Sequence, residues 1–229
     1  MSRTATLLVW FVAGLTFAGD LTGHITITKA LTRKRVSMPA YDSARFTADS
    51  KLPPRVVDEN ARVVIWLEGD DLPAAEPVTA TLAQHYQRFD PEIVVVPVGS
   101  TVNFPNQDPV FHNVLSLSHA KSFDLGYYPQ GRSRAVEFKQ AGVVQVYCHL
   151  HSNMYGAIVV VPSRMYARPG QDGQFTIAKV PAGNYQLVAW HASAGFFRKK
   201  VHVPESGVMA EDFVIPVRGD QDEKYCGCR

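Results

Sequence analysis

The sequence has little cysteine, little charge and almost no long apolar runs. Its 229 residues include three cysteines, too few for a fold held together by disulfides. Charged residues make up 19% of the chain, below the usual quarter or so. The 23 Lys and Arg nearly balance the 21 Asp and Glu, so no field of one sign indicates nucleic-acid binding. A hydrophobic content of 46% excludes global disorder.

One apolar run stands near the N-terminus, from Ala5 to Ala18, and follows Arg3. It is shorter than the roughly 20 apolar residues that a membrane-spanning helix needs. The pattern predicts a signal peptide over residues 1–18 and therefore a periplasmic or secreted protein with no membrane span after cleavage. An uncleaved N-terminal anchor is the alternative.

Beyond this run, the apolar residues follow a period of two or form short β-branched stretches. Gly, Pro, Asn and Asp separate these stretches, which is typical of strands joined by turns. The pattern predicts an all-β fold, either a sandwich or a barrel. Helix signals are weak and reduce to one short turn within Ser118–Leu125. The clearest predicted strands are Arg62–Leu67, Ile93–Val98, Val143–Tyr147, Ala157–Val161 and Tyr185–Trp190.

The clearest functional signal is the spacing Cys148-x-x-His151-x-x-Met154 between two predicted strands, with His112 upstream. Taken singly, each residue has a plainer interpretation, since cysteine and methionine fill cores and histidines are often only hydrogen-bonded. Together they supply a thiolate, two imidazoles and a thioether. A trigonal His-His-Cys set with a weak axial Met is the arrangement of blue copper sites. The combination therefore predicts one copper site.

The segment Phe89–Val161 resembles the cupredoxin family, especially its plastocyanin and amicyanin group. The likeness lies in the strands after Phe89, in the stretch Val110-Phe-His-Asn-Val114 and in the Cys148 loop. It implies a Greek-key β-sandwich with one mononuclear type 1 copper ion. The implied equatorial ligands are His112, Cys148 and His151, the implied axial ligand is Met154, and Asn113 is implied to brace the loop.

The flanking segments resemble a carboxypeptidase regulatory-like, transthyretin-type β-sandwich. The likeness rests on Asp172–Trp190, with its Val-Pro-x-Gly-x-Tyr pattern, and on Gly23-His-Ile25 and Ala61–Leu67. It implies a second small sandwich with the copper segment inserted. The predicted parts are the signal peptide (1–18), the first part of the flanking sandwich with a loop (19–75), the cupredoxin domain (76–162), the second part of the flanking sandwich (163–218) and a mobile tail (219–229).

These features favour a one-electron carrier over an enzyme, because four protein ligands leave no open metal position for a substrate. Segment 76–162 has five basic and six acidic residues, so strong electrostatic steering is not expected. We expect a transient protein redox partner at a small apolar patch near His151, with Phe111 and Tyr155 as candidate members. A copper carrier or tolerance protein and a β-sandwich accessory or adhesion module are the alternatives.

Three further residues stay open at this level. His149 follows the cysteine and is expected to point away from the metal, although a perturbed or second metal position is an alternative. Cys226 and Cys228 lie in the tail, where a local disulfide, an intermolecular link, a weak thiol metal site and no folded role are all compatible with the sequence.

Overall fold

The computed structural model describes residues 18–28, 58–151 and 154–216. In these ranges the chain forms β-strands and one short 3-10 helix over Asn60–Arg62, which confirms the all-β fold class. No helix in this part of the chain is long and apolar enough to cross a bilayer. The predicted signal peptide before Ala18, residues 29–57 of the predicted first flanking part, and Cys226 and Cys228 with their tail lie outside the described residues.

The strands are β1 (Ala18–Ile27), β2 (Val63–Glu68), β3 (Thr79–Thr81), β4 (Ala83–His85), β5 (Arg88–Asp90), β6 (Ile93–Pro97), β7 (Ser100–Pro105), β8 (His112–Ser118), β9 (Lys121–Tyr128), β10 (Ser133–Phe138), β11 (Gly142–Tyr147), β12 (Tyr155–Val161), β13 (Tyr166–Ala167), β14 (Gln174–Pro181), β15 (Gly183–His191), β16 (Gly195–Val203), β17 (Val208–Ala210) and β18 (Phe213–Ile215).

Strands β3 to β12 pair with one another and enclose one core. The sheet β6-β12-β11-β8-β9 faces the sheet β10-β7-β3, and β4 pairs with β5. Alternate residues of β7, such as Val102 and Phe104, point into the core because successive side chains of a strand face opposite sides. From the other sheet, Val114, Val144 and Ile158 meet them. Since β8 and β12 flank β11, the start of β8 lies beside the loop that joins β11 to β12.

The short helical turn predicted within Ser118–Leu125 is wrong. This segment forms the turn of the β8–β9 hairpin and the first part of β9. Phe123 and Leu125 pack against the core, whereas Ser122 and Asp124 are exposed. This alternation is the period of a strand.

The remaining strands form a second group of two sheets. β1 pairs with β14, β17 and β18, and the other sheet has the order β13-β2-β15-β16. Between them Leu21, Ile65 and Leu187 are fully buried in one core. The antiparallel pairing of β2 with β15 joins segments more than a hundred residues apart and is a pairing that the nested arrangement requires. The division into an inserted and a flanking domain, and the likeness of the flank to a transthyretin-type sandwich, stay predictions.

The two groups share a buried apolar contact. One face of β2 and β15 packs on the outer face of β6 and β12, so both faces of β12 are covered. This explains why Ala157–Val161 is continuously apolar, since a strand buried on both faces needs no polar alternation. The strand that follows the Cys148 loop is therefore held rigidly from two sides. The contact is formed by Val64, Trp66, Ile93, Ala157, Val159, Val161, Val188 and Trp190.

A buried polar cluster lies beside this apolar contact. The guanidinium of Arg62, the residue before β2, donates to Glu92, the residue before β6, with Nε and Nη2 at 3.1 and 2.9 Å from Oε1. Nη1 of Arg62 is 3.4 Å from Glu59. Glu59 Oε2 also lies 3.1 Å from Nε2 of His191, which is fully buried. The cluster therefore ties the start of β2, in the second group of sheets, to the start of β6, in the first.

The contacts of His191 identify its neutral form. Nδ1 accepts the backbone N–H groups of Ser193 and Ala194, both at 3.2 Å, so the ring proton lies on Nε2 and is donated to Glu59. Burial lowers the pKa of His191 to about 4, and the positive charge of Arg62 acts in the same direction. Protonation of Nδ1 would break both backbone hydrogen bonds.

Acid should therefore destabilise the protein through His191. The unfolded chain binds a proton at His191 below about pH 6.5, whereas the folded chain does not until about pH 4. The contribution of His191 to the free energy of unfolding is fully present above its pKa in the unfolded chain. It decreases by about 3 kcal/mol in total as the pH falls to its pKa in the folded chain. Urea unfolding of the wild type and of His191→Gln, at about pH 7 and about pH 4.5, measures the effect. Equal acid sensitivity of the two proteins would contradict the prediction.

Candidate metal centre

His112, Cys148 and His151 meet at one end of the first sandwich. Their ligating atoms all lie within 4.8 Å of one another, the one such His, Cys, Asp or Glu group in the described ranges. Sγ of Cys148 is 3.8 Å from Nδ1 of His112 and 3.6 Å from Nδ1 of His151. The two Nδ1 atoms are 3.0 Å apart. The structure thus brings together three of the four residues predicted as ligands by presenting one atom of each to a common point.

The strand order explains this convergence. Cys148 directly follows β11, His151 lies three residues on in the loop to β12, and His112 begins the neighbouring strand β8. The loop is closed by backbone hydrogen bonds from Cys148 N–H to the carbonyl of Met154 (3.2 Å) and from Met154 N–H to the carbonyl of His151 (2.9 Å). Two predicted ligands on one tight loop and a third on the adjacent strand are therefore held by main-chain geometry.

The triangle of atoms fits a single metal ion. A transition metal lies about 2.0–2.1 Å from an imidazole nitrogen and about 2.3 Å from a thiolate, so trigonal ligation needs sulfur–nitrogen separations of about 3.8 Å and a nitrogen–nitrogen separation of about 3.5 Å. The two sulfur–nitrogen separations, 3.6 and 3.8 Å, meet this requirement. The two nitrogens, at 3.0 Å, are within hydrogen-bonding distance and need to separate slightly. Cys148 is a buried free thiol, so no disulfide competes for its sulfur.

Asp108 sets the orientation of His112, and sequence reasoning missed it. Its Oδ2 lies 2.8 Å from Nε2 of His112, and both side chains are buried. A carboxylate on Nε2 keeps that nitrogen protonated and leaves Nδ1 free to bind a metal, as carboxylate partners of metal-binding histidines commonly do. The one sequence signal is an aspartate four residues before the histidine, in a loop with Pro109.

Burial favours the neutral form of both imidazoles, which is the form that binds a metal. Burial lowers the pKa of His112, although the hydrogen bond and charge of Asp108 act in the opposite direction. Burial also lowers the pKa of His151, and the neighbouring His112 adds to this shift. Since a proton competes with a metal for an imidazole nitrogen, the lowered values favour metal binding near neutral pH.

Asn113 braces the Cys148 loop, as the family resemblance implies. Its Oδ1 accepts the backbone N–H of His149 at 2.8 Å, and its Nδ2 donates to Asp124 at 3.3 Å. Asn113 is buried, whereas the side chain of His149 is exposed. The outward direction expected for His149 therefore agrees with the structure, and this residue is not part of the His112, Cys148 and His151 group.

Met154 is buried in the same core as Cys148. Its backbone closes the ligand loop, but its axial role stays a prediction. If the thioether is the axial ligand, Met154→Gln should keep one copper per chain and lower the reduction potential, because an oxygen ligand favours the oxidised ion. We expect a decrease of about 60 mV or more, a tenfold change in a one-electron equilibrium.

Voltammetry with copper analysis measures this effect. Met209→Gln on β17 is the matched control, because Met209 belongs to the other group of sheets. An unchanged potential in Met154→Gln would remove Met154 from the ligand set.

Exposed apolar side chains directly precede both histidines of the triangle in the sequence. Phe111 precedes His112 and is 56% exposed, and Leu150 precedes His151 and is 45% exposed. His151 and Tyr155 are half-buried. Sequence reasoning named Phe111 and Tyr155 for this surface but not Leu150. The role of the patch in partner binding stays a prediction.

Solved structures of copper proteins are similar to part of this chain. A purple cupredoxin from Nitrosopumilus maritimus is 26% identical over 36% of this chain and 99% of its own, with a TM-score of 0.33. A copper-containing nitrite reductase from Thermus scotoductus is 24% identical over 42% of this chain and 25% of its own, with a TM-score of 0.35. The copper(I) form of an amicyanin mutant is 20% identical over 36% of this chain and 82% of its own, with a TM-score of 0.35.

Neither a protein-family model nor a curated protein sequence matches the chain. At TM-scores below 0.5, the similarities to solved structures do not carry the assignment of a metal. That assignment rests on the geometry of His112, Cys148 and His151.

Proposed function

We propose that this protein binds one copper ion and carries single electrons in the periplasm or outside the cell. The observation that supports this function is the triangle of one buried thiol and two imidazole nitrogens, with separations of 3.0, 3.6 and 3.8 Å. A thiolate with two imidazoles suits copper, because soft sulfur favours the reduced ion and imidazole accommodates both oxidation states. When bound, copper would supply a reversible one-electron couple.

The surroundings of the triangle favour electron transfer over catalysis. If Met154 is the axial ligand, protein atoms fill all four positions, and no position remains for a substrate. Asp108 and Asn113 hold His112 and the Cys148 loop by hydrogen bonds that do not require a metal. Ligands fixed in this way need little rearrangement when the charge of the ion changes. The side chains of Cys148 and Met154 are buried in the apolar core, which limits the access of water to both sulfur atoms.

The surface also fits a transient exchange partner. Phe111 and Leu150 are exposed, and each directly precedes one of the two predicted histidine ligands in the sequence. The segments 109–113 and 148–151 contain no Lys, Arg, Asp or Glu. A small uncharged contact of this kind suits a redox protein that binds briefly and leaves.

A copper carrier or tolerance protein would use the same ligands, so the test must measure electron exchange. We expect copper titration of the purified chain to give one ion per chain and voltammetry to give a reversible one-electron wave. Exchange with a soluble redox protein, such as a c-type cytochrome, should then be fast. Tight copper binding without a reversible wave would instead support storage or transport, and an intact fold without copper uptake would support an accessory module.

A further inference from the structure

Asp108 connects the metal centre to a turn on the surface. Its Oδ2 is hydrogen-bonded to Nε2 of His112 at 2.8 Å and accepts the backbone N–H of Gln87, also at 2.8 Å. Its Oδ1 accepts the backbone N–H of Tyr86 at 2.7 Å. The residue is only 5% exposed. One buried carboxylate thus holds a predicted ligand on one side and two consecutive amides of the β4–β5 turn on the other.

The turn has a backbone conformation that its residues rarely adopt. Tyr86 has φ of 52° and Gln87 has φ of 53°, both in the left-handed region that favours glycine and asparagine. A two-residue hairpin turn with both φ values positive normally contains Asn-Gly. Side chains such as Tyr and Gln stay in this region only where their surroundings compensate for the strain. The two hydrogen bonds to Asp108 supply such compensation.

The loop that carries Asp108 is also held by hydrogen bonds that do not involve the two turn residues. The backbone N–H of Asp108 donates to Oδ1 of Asn106 at 2.9 Å. The buried Nδ2 of Asn106 donates to the carbonyls of Val110 and Tyr128 at 2.8 and 3.1 Å. The backbone at Asp108 is therefore fixed. The position of its carboxylate depends mainly on its two sets of partners, the His112 ring and the turn.

The outer end of this connection is accessible. The ring of Tyr86 is 57% exposed and stacks on His85, with ring centroids 3.9 Å apart. Tyr86 is therefore connected to the His112 ring through two hydrogen bonds, both of them to the carboxylate of Asp108.

We propose that the Tyr86–Gln87 turn is a positioning element for His112, with Asp108 as the connecting residue, so that metal binding and the turn conformation stabilise each other. A metal that fixes the His112 ring also fixes Asp108 and strengthens its hold on the turn. By thermodynamic reciprocity, a turn that holds Asp108 favours the ring orientation that binds the metal. This coupling rests on the proposed metal site but not on electron transfer.

Amide hydrogen exchange of the full chain tests the coupling, with zinc as a redox-inert probe. Zinc should slow the exchange of the Tyr86 and Gln87 amides by about 5- to 150-fold relative to the metal-free protein. Leu82 is the control amide, because it donates to the carbonyl of Asn103 and not to Asp108. No slowing at Tyr86 and Gln87, or equal slowing at Leu82, would overturn the coupling.

Two substitutions at Gln87 test the reverse direction. Gln87→Gly keeps the N–H and tolerates the positive φ, so zinc affinity should be kept or rise. Gln87→Pro removes the N–H and cannot adopt a positive φ, so zinc affinity should fall by about tenfold or more. Equal zinc affinities of the two variants would overturn the proposal. If Gln87→Pro does not fold, the exchange measurement on the wild type decides.

The outcomes separate this coupling from the proposed function. If zinc slows exchange in the turn but the copper form shows no reversible wave, the coupling is supported and the proposed electron transfer is contradicted. If the copper form exchanges electrons reversibly but zinc does not change amide exchange in the turn, only the coupling is contradicted. A chain that binds neither metal at the triangle would overturn both.

Discussion

Replacing Cys148 by alanine should abolish the strong visible absorption of the copper-loaded protein. Such absorption arises from charge transfer between a thiolate and copper(II), and Cys148 is the one cysteine within reach of His112 and His151 in the described ranges. The substitution removes the sulfur from a site whose sulfur–nitrogen separations match trigonal ligation. The loss should be complete, since two imidazoles cannot produce the band. Absorption spectra with equimolar copper(II) measure the effect.

The neighbouring histidine provides a matched control for this substitution. His149 is adjacent in sequence, but its side chain is exposed and only its backbone N–H contacts Asn113. His149→Ala should keep both the visible band and the copper stoichiometry. If His149→Ala lost the band and Cys148→Ala kept it, the ligand assignment would be wrong, and a metal position at His149 would have to be reconsidered.

Replacing Asp108 should weaken both the fold and the metal site. The carboxylate accepts three hydrogen bonds, from Tyr86, Gln87 and His112. Asp108→Ala leaves these donors without their acceptor, and each buried unpaired donor costs ~1–3 kcal/mol. The His112 ring also loses the group that fixes its orientation, which typically lowers metal affinity by about 10- to 100-fold. Urea unfolding and competition with a copper chelator measure the two effects.

A conservative variant and a surface variant make this result specific. Asp108→Asn keeps the shape but offers one oxygen, so at least one of the three donors loses a partner and both effects should be present but smaller. Glu137→Gln removes the charge of an exposed carboxylate in β10, which pairs with exposed Lys139, and should change neither measurement by much. Unchanged copper affinity in both Asp108 variants would show that Asp108 does not position His112.

The candidate site could be predicted largely from local spacing. Cys148, His151 and Met154 recur at every third residue, and a loop between two strands brings such residues to one side. His112 could be added because the short strands predicted a sheet whose neighbours lie side by side. The structure confirms that His112, Cys148 and His151 converge. The direction of the Met154 sulfur depends on packing, which spacing does not reveal.

The contacts of Asp108 and the strand β9 could not be predicted in this way. Asp108 acts through backbone amides of Tyr86 and Gln87, and a backbone amide leaves no mark in a sequence. Lys121–Tyr128 mixes partly buried and exposed residues at the edge of its sheet, so its alternation is too weak to exclude a helical turn. By contrast, the continuously apolar Ala157–Val161 is predicted correctly as a strand, because the run is short and consists mainly of β-branched residues, which favour strands.

The central claim is that His112, Cys148 and His151 bind copper through a thiolate and two imidazoles. The visible and electron spin resonance spectra of the wild-type protein, loaded with one equivalent of copper(II), test it most directly. We predict an intense thiolate-to-copper band and the small copper hyperfine splitting of a covalent thiolate site. A colourless copper(II) protein with a large hyperfine splitting would contradict the account, because copper would then be bound without Cys148.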